Sequence, residues 1–347
     1  MMPISGAPRA GGAHLLSISD FDPLDLEQVL DEAVELKAGK GTPALGRLPL
    51  AGKAVALLFD KPSLRTRVSF EVGVAKLGGI TSTLTGHDVG LGSREPVEDM
   101  ARTLARYVDA IVVRMLSHES LAELAAASDV PVINALTAFE HPCQALADLL
   151  TLRERLGSLA GRQLVYVGDG NNVCHSLLLG GAALGLHVRV AAPVGHEPQS
   201  AVVDEAAQLA RQSGAHIEIV HDPRAAVAGA DAVYTDVWAS MGSEHEAAER
   251  RQAFAGFRLT RELLSGAPDA LVMHCLPAHR GEEIDADVLE GPRSVAFDQA
   301  ENRLYVQQAA LLQLLSVSQA GRRPLGLVDR QNSPVLGPGR SVAAAGR

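Results

Sequence analysis

The chain has 347 residues, 47% of them apolar and 21% charged, and a formal net charge of −10. That length accommodates two ordinary domains, each with its own core, and the acidic balance argues against electrostatic binding of nucleic acid. No run approaches the roughly 18 apolar residues of a membrane span, and the start of the chain lacks the apolar stretch of a secretory signal. Cys143, Cys174 and Cys275 are scattered and odd in number, which points to a reducing compartment, with cytoplasm as the expected location.

In chain order, residues 1–13 and 320–347 carry small residues, Gly and Pro without apolar periodicity and are expected to be disordered. Between them, apolar runs at 54–59, 110–114, 130–134, 163–168, 187–192, 216–220, 232–236, 270–275 and 294–298 are predicted strands. They alternate with helical patterns such as EPVEDMARTLARYV and HPCQALADLLTLRERL. Strands apolar on both faces suit parallel sheets covered by helices. The repeated units predict an α/β fold of two doubly wound parallel-sheet domains. The spacing in CQALADLLTLRERLGSLAG predicts one helix running from the first half into the second, with domains over 14–152 and 153–300. A final helical segment, 301–318, is expected to pack back between them.

The polar clusters fall where predicted strands end. KPSLRTR (61–67) follows the first strand, Arg114 ends the second, and His141 to Gln144 follow the third. GDGNN (168–172), TDVWASMG (235–242) and HCLPAHRG (274–281) close strands of the second half. Open parallel sheets bind ligands beyond the carboxyl ends of their strands, so two such halves predict one interdomain cleft.

Arg65 and Arg67 open a predicted helix, where a cation is unfavourable by a few tenths to about 1 kcal/mol. Either both are solvated behind a Ser63 cap, or Ser63, Arg65, Thr66 and free backbone N–H groups converge on an oxyanion. GDGNN fails as a dinucleotide fingerprint: Val173 occupies the third glycine position, and HVRVAA ends without an acidic residue for a ribose. Asn171 and Asn172 either offer amides to a polar substrate or cap the next helix.

His141, ahead of Pro142, is cap-like, with Gln144 one turn along on the same face. Asp148, four residues further, reads as a helix-surface residue. Asp236 is either the partner of a substrate ammonium or an Asx turn. Cys275 is a nucleophile, a substrate-contacting thiol or an inert buried one. HCLP and HPCQ lack the spacing of a zinc site, and no P-loop, H-E-x-x-H or G-x-S-x-G pattern occurs.

Taken in order, S-x-R-T-R (63–67), Arg114 and H-P-x-Q (141–144) resemble the carbamoyl phosphate features of the carbamoyltransferases. GDGNN, TDVWASMG, HCLPAHRG and ENR (301–303) are similar to the ornithine branch of that family, and the likeness covers residues 14 to 318. It implies transfer of the carbamoyl group of carbamoyl phosphate to the δ-amine of L-ornithine, giving L-citrulline and phosphate, as in arginine biosynthesis. It also implies a homotrimer with sites at subunit interfaces, small-molecule substrates, and no metal or organic cofactor. Ser63, Leu64 as spacer, Arg65 and Thr66, with Arg114, His141, Gln144, Cys275, Leu276 and Arg303, would hold carbamoyl phosphate. Asn172, Asp236, Ser240 and Met241 would bind ornithine. Arg65, Arg114, His141, Asp236, Cys275 and Arg303 would carry the catalysis.

Three positions depart from the family pattern. Leu64 stands where ornithine members often carry Thr, and Ala138 where many have an Asp before H-P-x-Q. Gly90 replaces a Gln that reaches the neighbouring subunit, and Arg94 is its expected substitute. The rival readings are carbamoyltransferases for aspartate, N-acetylornithine or putrescine, and a non-catalytic binder of a phosphorylated metabolite. Asp236 disfavours aspartate, whose second carboxylate it would repel.

Overall fold

The computed structural model describes residues 14–40, 48–90, 94–239 and 246–321. After α1 (Pro23–Lys37), the first half runs β1 (Ala54–Phe59), α2 (Arg65–Lys76), β2 (Ile80–Thr85), α3 (Gly86–Val89) and α4 (Val97–Leu104), then β3 (Ala110–Arg114), α5 (His118–Ala126), β4 (Val132–Leu136) and α6 (Pro142–Leu156). The second half runs β5 (Gln163–Val167), α7 (Asn172–Ala183), β6 (His187–Ala191), α8 (Ser200–Ser213), β7 (Ile217–Val220) and α9 (Pro223–Val227). It continues with β8 (Ala232–Thr235), α10 (Ala247–Ala253), β9 (Leu271–His274) and α11 (Ala286–Leu289), and α12 (Ala296–Gly321) follows.

The strands form two sheets, ordered β2-β1-β3-β4 and β7-β6-β5-β8-β9, with every pairing parallel. This is the expected pair of parallel-sheet α/β halves. β3, β4, β5 and β8 are buried almost throughout because helices cover both faces. Strand order reverses between β1 and β3 in one sheet and between β5 and β8 in the other. At such switch points the connections leave to opposite faces and open a crevice.

β2 was not among the predicted strands. ITSTLT is an edge strand, half-exposed and rich in Ser and Thr, so its sequence lacks the apolar run of a central strand. Residues 294–298 are not a strand: Ser294 makes a single parallel bridge to Val272, and α12 begins at Ala296. The single helix predicted through GSLAG instead stops at Leu156, where Gly157 takes a φ of 80° that side chains avoid.

α6 is buried on every side from Pro142 to Leu152, as a helix wedged between layers must be. It packs against α7, α1 and α12, and α12 also reaches α1, α2 and β9. One apolar core therefore includes Leu57 and Phe70 of the first half, Leu149 of α6, Leu177 of the second half and Leu311 of α12. No helix among the described residues is long and apolar enough to cross a membrane.

Candidate functional site

A cleft of about 570 Å³ opens at both switch points. β1 pairs with β3 so that Phe59 lies opposite Arg114, and the KPSLRTR loop leaves directly beside that arginine. α2 starts at Arg65 with Leu64 at its N-cap and no side-chain cap, so the Ser63 cap reading fails. Arg67 points away from the cleft and pairs with Glu71 at 2.9 Å on an exposed surface.

Ser63, Leu64, Arg65, Thr66, Arg114, His141, Gln144, Asn172, Asp236, Cys275, Leu276 and Arg303 all line this one cleft. Ser240 and Met241 lie outside the described residues. Arg94 is exposed and off the cleft wall; its backbone N–H donates to the Gly90 carbonyl at 2.9 Å.

Two guanidiniums converge on Thr66, and Arg65 lies on the same cleft wall. Arg303, wholly buried, donates to Thr66 Oγ1 at 3.0 Å and to Gln144 Oε1 at 2.8 Å, and Arg114 approaches the same hydroxyl at 3.4 Å. Burial, with the charges of Arg303 and Arg65, brings the Arg114 guanidinium down to about 10. Among the described residues none of Arg65, Arg114 and Arg303 forms a salt bridge with a carboxylate. Cations gathered this way make a site for an anion. His141 stands at the N-cap of α6, and burial together with the same three arginines pushes its pKa well below the ordinary value. It is therefore a neutral imidazole at pH 7.

Asp148 is wholly buried, contrary to its reading as a surface residue. Its Oδ1 accepts from Gln144 at 2.8 Å and Gln299 at 2.7 Å, and its Oδ2 accepts from Tyr234 at 3.1 Å. Burial outweighs these three donors and lifts the carboxyl to about 6. Gln144 is thus oriented unambiguously: its amide donates to Asp148 while its oxygen accepts from Arg303.

Across the cleft, Asp236 Oδ1 accepts from the Val237 N–H at 2.8 Å and from the Cys275 thiol at 2.9 Å, and Oδ2 accepts from Asn171 at 2.8 Å. Burial and the neighbouring Asp236 hold the Cys275 thiol well above its usual range, so it is a donor and not a thiolate nucleophile. Asn171 is the N-cap of α7 as well as the partner of Asp236; Asn172 donates to the Thr137 carbonyl at 2.6 Å. Gly170 is a packing glycine: a Cβ there would sit 2.1 Å from the Pro198 nitrogen.

Sequence reading missed Asp169 on the cleft wall, held by Arg250 at 3.0 Å. Its place in GDGNN, one residue past a strand end, was the available signal. Asp236, His274 and Cys275 also bring potential ligand atoms within 4.8 Å of one another. Both His274 nitrogens are already engaged, Nε2 with Glu283 and Nδ1 with the Leu276 N–H.

Glu140, next to His141, tests how burial acts here. Its Oε2 accepts from the Ile18 N–H at 3.1 Å and the Ser176 hydroxyl at 2.9 Å, and Ser176 in turn accepts from the His141 N–H at 3.0 Å. Burial lifts the carboxyl to about 7 from its ordinary 4.5, so folding takes up a proton between those values and stability falls as pH rises through that window. Glu140→Gln removes the ionisation. Its melting temperature relative to wild type should climb between pH 5 and 7 and level off above, by about 3 kcal/mol at most in stability terms. Thermal melts across that range check this; a difference independent of pH contradicts it.

Two parallel α/β halves with a cationic pocket and a buried carboxylate in their shared cleft define a two-substrate group-transfer architecture. The chain belongs to the aspartate/ornithine carbamoyltransferase family: residues 13–154 match the family's carbamoyl-P binding domain and residues 160–314 its Asp/Orn binding domain. It is 54% identical over 307 residues, covering 88% of this chain and 97% of the relative, to the ornithine carbamoyltransferase of Acidothermus cellulolyticus. The solved ornithine carbamoyltransferase of Pyrococcus furiosus superposes with a TM-score of 0.83 at 47% identity, over 89% of this chain and 99% of that one. A solved acetylornithine transcarbamylase in complex with acetylcitrulline matches at 32% identity and a TM-score of 0.78, over 87% of this chain and 98% of that one.

Proposed function

We propose that this chain transfers the carbamoyl group of carbamoyl phosphate to the δ-amine of L-ornithine, releasing L-citrulline and phosphate. The carrying observation is a cluster of three guanidiniums with no carboxylate partner among the described residues, sharing a cleft with the buried carboxylate of Asp236. The higher identity to a named ornithine enzyme than to the acetylornithine enzyme, 54% against 32%, supports free ornithine as acceptor.

In this reading Ser63, Arg65, Thr66, Arg114 and Arg303 hold the phosphate, with Leu64 as spacer. His141, Gln144, Cys275 and Leu276 surround the carbamoyl group. Asp236 and Asn172 meet ornithine, with Ser240 and Met241 as further contacts from the adjoining segment. The neutral δ-amine attacks the carbonyl carbon and a C–N bond forms. Charge growing on the carbonyl oxygen meets preorganised donors from His141 and the arginines. The C–O bond then breaks with its electron pair going to phosphate, which takes the proton lost by the amine and leaves as the dianion, so no separate base is needed. Holding both reactants in one cleft supplies the orientation.

Incubation with carbamoyl phosphate and ornithine, N-acetylornithine, putrescine or aspartate in turn tests the reading. Citrulline from ornithine, with little product from the others, is expected; no citrulline from ornithine defeats it.

The working unit is a homotrimer in the cytoplasm, serving arginine biosynthesis. Leu64, Val68 and Val72 are 73%, 48% and 41% exposed at successive turns of α2. They make an apolar stripe on the helix that carries Arg65 and Thr66, and a second copy covering it would couple assembly to the site. Val68→Asp should shift the particle to a smaller mass in light scattering and lower activity with it. An unchanged mass would remove this face from the interface.

A further inference from the structure

Glu283 is wholly buried and forms no part of the cleft wall, yet it binds both ends of a loop that does. Its Oε1 accepts from His274 Nε2 at 3.1 Å and from the His279 N–H at 2.5 Å. Between these ends, the Leu276 N–H donates to His274 Nδ1 at 2.8 Å. The tautomer follows: Nδ1 accepts, so the proton sits on Nε2 and points at Glu283. A single carboxylate oxygen thus orients the imidazole that anchors the middle of the loop and also ties its far end.

The loop needs such a hold. Leu276 has a φ of 54°, in the left-handed region that branched side chains seldom occupy. What the loop presents is the Cys275 thiol against Asp236, with Leu276 and His279 on the cleft wall. Removing the Glu283 acceptor would leave the His274 Nε2–H and the His279 N–H without their partner and release the conformation they fix.

We propose that Glu283 is a positioning residue for the loop that borders both the carbamoyl group and the amine. Acting through His274 and the His279 amide, it sets loop 274–279 so that Cys275 stays against Asp236. The kinetic arm of this proposal rests on the ornithine reading above; the thiol arm does not.

The test compares Glu283→Leu, which loses the acceptor, with Glu283→Gln, which keeps it. Steady-state constants are measured for both substrates, together with the rate at which a neutral aromatic disulfide modifies Cys275, using Cys275→Ser as the blank. Glu283→Leu should raise the KM for ornithine and, because Cys275 and Leu276 also border the carbamoyl group, the KM for carbamoyl phosphate, each by about five-fold or more. Its thiol should react at a rate changed about five-fold or more by loss of the fixed geometry, and Glu283→Gln should recover most of both effects. If Glu283→Leu does not fold, His274→Gln replaces it: that variant keeps a donor toward Glu283, loses the Nδ1 acceptor, and should give the same changes. Unchanged KM values with unchanged thiol reactivity, or no recovery in Glu283→Gln, would overturn the proposal. A wild type that makes no citrulline defeats the ornithine reading instead, and the thiol rates alone then decide the role of Glu283.

Discussion

Arg114→Met is expected to raise the melting temperature of the ligand-free protein and to lower kcat/KM for carbamoyl phosphate by about 10²–10³-fold. Both effects have one cause. Folding brings Arg114 and Arg303 to Thr66 with Arg65 close by, no carboxylate among the described residues pairs with any of them, and Arg114 shows the strain as a guanidinium brought down to about 10. Among the described residues its Nε has no hydrogen-bond partner. Methionine keeps the length of the aliphatic stem and removes one of three mutually repelling charges, so the empty protein gains. The anion that the cluster is built to receive loses a donor whose strength grows as charge passes to the leaving phosphate. Melting curves with and without phosphate separate the two effects, because ligand binding adds stability in proportion to RT ln(1 + [L]/Kd). The wild type should gain much more from phosphate than the variant. A variant that melts lower, with its phosphate increment intact, would give Arg114 a role in folding and none in anion binding.

Asp236→Asn should lower kcat/KM for ornithine by about 10²-fold or more while the KM for carbamoyl phosphate holds, since truncating one partner of a buried charge pair costs about 2–5 kcal/mol. The carboxylate accepts three hydrogen bonds, from Val237, Cys275 and Asn171, and has no donor role. An amide in its place removes the negative charge and also sets an N–H against one of those donors. Some loss of stability, about 1–3 kcal/mol, should accompany the kinetic defect. The decisive quantity is the ratio of the two KM values. If ornithine binds the variant as it binds wild type, the ammonium is recognised elsewhere.

The strands legible in the sequence are those buried on both faces, because burial forces a continuous apolar run. β2 escaped for the opposite reason: as a half-exposed edge strand it reads as a Thr-rich connection. SVAFD misled because Val295 and Ala296 are buried beside β9, which gives a helix start the composition of a strand. The cleft was readable because its residues end strands, and strand ends carry a local signature. Asp148, Gln299 and Glu283 carry none. Asp148 lies four residues after Gln144, a spacing that belongs equally to a solvated helix face. Only the placement of α6 between the layers turns that face inward. Likewise nothing local distinguishes Asn171 from Asn172; which amide meets Asp236 depends on which of the two caps α7.

The burial of α6 against α12 bears on how such chains recombine. Asp148 belongs to the first half in sequence, yet two of its three partners come from β8 and from α12, after the last strand. Arg303, also on α12, is bonded back to Gln144 and Thr66. A chimera that exchanged the second sheet with a relative at Gly157, and took everything downstream with it, would import a foreign α12 and cut across both networks. The natural parcel is the first sheet with its own terminal helix, so a viable exchange would replace roughly β5 through β9 and return to the parental sequence before Gln299. In this architecture the inheritable module is defined by buried polar bonds and is discontinuous along the chain.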